Sequence, residues 1–61
     1  MNENQKAQKY GELLNEHTRV SNKIQEIKGQ SIELSKQQEL EIRQLQSRQV
    51  QIFEEMRKLF N

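Results

Sequence analysis

The chain has 61 residues, with ten Lys and Arg against nine acidic residues for a net charge of +1, and it lacks cysteine, proline and tryptophan. That length allows one domain whose core is near the lower limit of independent stability, where self-association commonly helps. Without cysteine there is no disulfide framework and no thiolate metal site, and a balanced charge leaves no strong self-repulsion to hold the chain open.

Leu, Ile, Val and Phe make up 15 of the 61 residues, above the level of highly charged disordered chains. Gln, Glu, Lys, Arg and Leu dominate, all good helix formers. An Asn/Gln/Lys-rich composition of this kind suits a phage or low-GC bacterial genome. The amino terminus, MNENQKAQKYG, lacks the apolar segment of a secretory signal. No apolar run approaches the length of a membrane span, so a cytoplasmic location without a membrane partner is expected.

The first predicted element is a helix over about 3–28. Its apolar residues recur every three or four positions. Tyr10, His17 and Ile24 fall on heptad position a, and Leu13, Val20 and Ile27 on d. The stretch EIKGQSIEL follows. Lys28 suits a helix carboxyl end, Gly29 can supply a left-handed C′ residue, and Ser31 can cap a new helix. A turn over 29–31 is therefore expected.

The second predicted element is a helix over about 32–60. Its stripe takes in Ser35, Gln38, Ile42, Leu45, Gln49, Ile52, Met56 and Leu59, with Leu34 closing a seam layer on Ile27 at the turn and Phe53 and Phe60 broadening the carboxyl end. The two stripes do not share a phase. Carried forward by sevens, the first would put Glu41, Arg48 and Glu55 into the seam. One continuous helix would need a four-residue stutter, whereas a hairpin folded about residue 31 needs none. That hairpin sets Ile24 against Gln38, Val20 against Ile42, His17 against Leu45, Leu13 against Gln49 and Tyr10 against Ile52. The expected fold is all-α: one antiparallel two-helix hairpin, coiled-coil-like, dimerising into a four-helix bundle. The alternative is one long helix in a coiled-coil oligomer.

Chemistry has little to work with. One histidine, no cysteine and no aspartate cannot assemble a Ser–His–Asp or Cys–His arrangement within one chain. Pairs such as Glu12 with Glu16 or Glu54 with Glu55 read as solvated helix surface. The residue three before His17 is Leu14, so the Glu-x-x-His ligand pair of helical metal sites is absent. No enzymatic activity and no cofactor or metal is expected. Gln38 and Gln49, polar residues in an apolar seam, can set register at a cost in stability.

The segment IFEEMRKLF offers a broad apolar face of Ile52, Phe53, Met56, Leu59 and Phe60. Tyr10, Ala7 and Met1 are all the opposite arm can set against it. A surplus of this kind marks contact with a second copy or another protein. The expected function is non-enzymatic protein–protein contact, as an assembly subunit, adaptor or small inhibitor. One alternative is a nucleic-acid-binding bundle of the Rop type, although no motif of that family stands in the chain. Basic charge is spread evenly, and Arg19 with Lys23, and Lys36 with Arg43, are the nearest approach to a strip. Another alternative is a coiled-coil scaffold or spacer.

Overall fold

The computed structural model describes residues 2–30 and 32–60. Two helices, α1 (Glu3–Gly29) and α2 (Lys36–Leu59), pack against each other as a hairpin, measuring 46 × 15 × 11 Å. Both are rich in helix formers and free of proline, but in proteins most helical stability comes from packing an apolar face rather than from propensity. What holds them is the buried seam: Leu13, Val20, Ile24 and Ile27 from α1 with Ile42 and Ile52 from α2. Leu34, Leu45, Met56 and Leu59 pack against that core at partial exposure. Neither helix is long and apolar enough to cross a membrane.

Each helix opens on a reciprocal capping box. Asn2 Oδ1 accepts from the Gln5 backbone N–H at 2.8 Å while Gln5 Oε1 accepts from the Asn2 N–H at 3.2 Å. At α2, Ser35 Oγ accepts from the Gln38 N–H at 3.1 Å, and Gln38 Oε1 from the Ser35 N–H at 2.9 Å. Each box satisfies two backbone donors that a helix start otherwise leaves unpaired.

That second box moves the turn from its expected place. The connection spans 30–35 rather than 29–31, and α2 begins at Lys36 rather than near 32. Ile32 is fully exposed in the connection. Gly29 does not act as a left-handed turn residue: it is the last residue of α1, and no described residue has positive φ. The helix ends instead at Gln30, in right-handed helical conformation, whose N–H donates to the Ile27 carbonyl at 3.3 Å. Ser31, the expected cap, lies outside the described residues.

The later start of α2 also shifts the register. His17 meets Phe53, and Tyr10 meets Phe60, eight positions beyond the expected partners Leu45 and Ile52. Glu16 meets Arg48, and Ser21 meets Gln49. A longer connection lets each residue of α1 reach further along α2. Gln38, expected in a seam layer with Ile24, sits in the first turn with its side chain engaged in the cap.

Candidate interaction surface

The seam divides the hairpin into two broad faces. On α1, Glu16 and His17 stand either side of the line through Leu13 and Val20. On α2, Arg48 and Gln49 flank the line through Leu45 and Ile52. Neighbouring residues on a helix are about 100° apart, so each pair points to opposite faces.

One face is charged. Arg48 grips the Glu16 carboxylate bidentately: Nε donates to Oε2 at 2.6 Å and Nη2 to Oε1 at 2.8 Å. Its Nη1 donates to Gln51 Oε1 at 3.3 Å, and Nη2 lies 3.8 Å from Glu55 Oε2. Both ion-pair side chains keep about a third of their surface in water, 36% for Arg48 and 33% for Glu16. The hydrogen bond from Arg48 is the largest influence holding the Glu16 carboxyl below its ordinary pKa; burial opposes it, and the charges of Arg48, Arg19 and Lys9 support it. The same hydrogen bond raises the Arg48 guanidinium above its already high value. This network was missed in the sequence because Arg48 and Glu55 looked only like misfits in an apolar seam. They lie beside the seam.

The other face is aromatic. The His17 ring packs on Phe53 with centroids 4.8 Å apart and planes tilted by 58°. Tyr10 meets Phe60 edge-on at 5.6 Å and 74°, an arrangement favoured by the ring quadrupoles. Below them Gln49 Nε2 donates to Ser21 Oγ at 3.0 Å, which gives Gln49 a polar partner across the seam. Leu14, Val50, Phe53 and Phe60 remain 42%, 58%, 55% and 69% exposed. Val50, Phe53, Glu54 and Arg57 line a shallow groove along α2.

The expected carboxyl-terminal contact patch is thus split. Ile52 is not available to a partner; it is fully buried in the hairpin's own core. Met56 and Leu59 pack against that core. Leu13, expected in the seam, is 2% exposed in the same core. Phe53, Phe60 and Tyr10 stay on the aromatic face. His17 belongs to that face as well and not to the central seam.

A second heptad stripe explains this face. On α2 it runs Arg43, Gln46, Val50, Phe53, Arg57, Phe60, and on α1 Ala7, Tyr10, Leu14, His17, Ser21. The α2 residues are each one step past the core stripe, and on α1 Leu14 and Ser21 are one step past Leu13 and Val20, the signature of a helix that faces two neighbours.

The four basic residues weighed for nucleic acid do not form one strip. Arg19 acts on Glu16 and stands on the charged face. Lys23 pairs with Glu26 at 3.9 Å. Lys36 opens α2, and Arg43 begins the stripe that leads to Phe53 on the aromatic face. Among the described residues, no group of three or more carboxylate or histidine side chains is placed to hold a metal ion. No family model, no curated protein and no solved structure matches the chain.

Proposed function

We propose that the hairpin acts through protein–protein contact, as an assembly subunit, adaptor or small inhibitor, and that it dimerises through the aromatic face into a four-helix bundle. The observation that carries this reading is unspent apolar surface gathered on one face. Among the described residues, four of the six large hydrophobic side chains left exposed are Leu14, Val50, Phe53 and Phe60. Leu40 stands apart from these four, in a groove with Gln37, Glu41 and Gln44.

Area supports the same reading. The chain exposes 5032 Å² for a mass of 7.4 kDa, whereas a compact monomer of that mass exposes about 4200 Å². The excess, on the order of 800 Å², matches one partner's share of a standard interface. Its cause is shape, since two helices side by side form a slab.

The test is the solution mass and its response to substitution. Light scattering after gel filtration should give about twice 7.4 kDa, and replacing Phe53 and Phe60 together by serine should return the chain to a folded monomer. Both side chains are more than half exposed, so the hairpin itself does not require them. An unchanged assembly in the double variant would overturn the role of this face. A gel shift with generic RNA or DNA at low salt tests the nucleic-acid alternative, which the division of the basic residues disfavours.

A further inference from the structure

We infer that the two copies meet about a two-fold axis at Phe53, with α2 lying antiparallel on α2 of the second copy. This rests on the dimeric reading above and adds its geometry. A two-fold interface is isologous, so whatever lies on the axis meets itself and every other layer is paired reciprocally. The exposed stripe on α2 leaves three central choices: Val50, Phe53 and Arg57.

Charge decides among them. With Arg57 on the axis, its guanidinium would face an identical guanidinium. With Val50 on the axis, Arg57 would lie opposite Arg43 of the second copy, twice over. Like charges juxtaposed in an interface are costly. With Phe53 on the axis the two arginines separate. Val50 then packs along the aliphatic stem of Arg57 from the second copy, and Gln46 lies over its Phe60. Arg57 then lies opposite Gln49 of the second copy, and the guanidinium has no ion pair within its own chain among the described residues.

The same axis accounts for the residues on α1. Phe53 rests on His17, one turn from Leu14. Stacking two hairpins face to face about an axis at that level also lays α1 antiparallel on α1. His17, level with the axis, then meets His17 of the second copy, and Leu14 of each copy lies one turn to either side of that contact. All four exposed apolar residues of the face are covered by this single operation.

Because the chain has no cysteine, introduced thiols report the geometry directly. Disulfides require Cβ atoms about 3.5–4.5 Å apart. Phe53→Cys, air-oxidised in dilute solution, should convert most of the chain to covalent dimer. Leu40→Cys, exposed but off this face, should give only traces. Removing Phe53 could itself loosen the pair, so a mixture of Val50→Cys and Arg57→Cys chains supplies the second arm. Mixed disulfides should exceed either self-linked product. A dimer by light scattering that cross-links no better at Phe53 than at Leu40, and shows no preference for the mixed pair, overturns the axis and leaves dimerisation standing. A monomeric wild-type chain at all concentrations overturns both.

Discussion

Replacing Ile52 by alanine tests the hairpin's register directly. Ile52 has no accessible surface in the single chain, so the substitution removes side-chain volume from a closed core. Isoleucine to alanine at such a site costs about 2–5 kcal/mol, the lost transfer energy plus the cavity left behind. A domain of this length is stable by only about 3–9 kcal/mol. The substitution should therefore consume most of the hairpin's stability. Ile52→Val, which removes one methylene, should cost about 1 kcal/mol. Leu40→Ala, at a site 56% exposed, should stay within about 0.5 kcal/mol. Urea unfolding followed by circular dichroism measures all three, at one protomer concentration because association adds to apparent stability. In the register expected from a turn at 29–31, Ile52 would lie near the open end, opposite Tyr10, and be covered only by a second copy. If Ile52→Ala costs no more than Leu40→Ala, or acts only on assembly, the packing of α1 on α2 described here is wrong.

Gly29→Ala should stabilise the hairpin by up to about 1 kcal/mol, since the glycine is helical and an added Cβ meets nothing within 4 Å; a loss of stability in thermal melts would instead restore a left-handed turn there. Ser35→Ala should cost about 1 kcal/mol and speed amide hydrogen exchange in the first turn of α2, whereas no change in exchange at Gln38 would contradict the capping box. Glu16→Gln tests the charged face. Because the folded Glu16 pKa is depressed, its contribution is complete above the ordinary carboxylate pKa and is lost as pH falls through the folded value. The stability gap between wild type and Glu16→Gln should therefore be present at neutral pH and close on acidification; a gap independent of pH would refute the ion pair's role.

Much of the fold was readable in the residues, and the reasons differ by feature. Apolar spacing at Leu13, Val20, Ile24, Ile27, Ile42 and Ile52 marked the buried positions because burial on a helix obeys its 3.6-residue period. The out-of-phase stripes pointed to a hairpin because a continuous helix would have put charge into its own seam. The turn was misplaced because glycine was given more weight than the cap. Gly29 is compatible with a turn but does not demand one, whereas Ser35-x-x-Gln38 is a specific helix-start signature, overlooked because both residues also fitted the apolar period. That single displacement carried the register with it, and so transferred Ile52 from the contact surface to the core. The Glu16–Arg48 ion pair was not legible from spacing alone, since long side chains of α1 and α2 meet only once the register is known.

If the hairpin dimerises as proposed, its two faces together give a reason for the assembly to close at two copies. A slab with two apolar faces would stack without limit, because each added copy would present a fresh sticky surface. Net charge of +1 supplies almost no long-range repulsion to prevent that. The restraint has to be local, and the Glu16–Arg48–Glu55 network provides it. Arg48 and Glu16 are hydrogen-bonded to each other, and Glu55 Oε2 lies 3.8 Å from Arg48 without a hydrogen bond. Covering them would strip water from partly exposed charges for little new pairing, which is unfavourable. The aromatic face offers the opposite balance. Its Ser21 and Gln49 are joined to each other, and between its outlying arginines it offers ring and aliphatic surface that loses little by being covered. Under the proposed dimer, one face that gains from burial and one that resists it would leave a pair of hairpins complete.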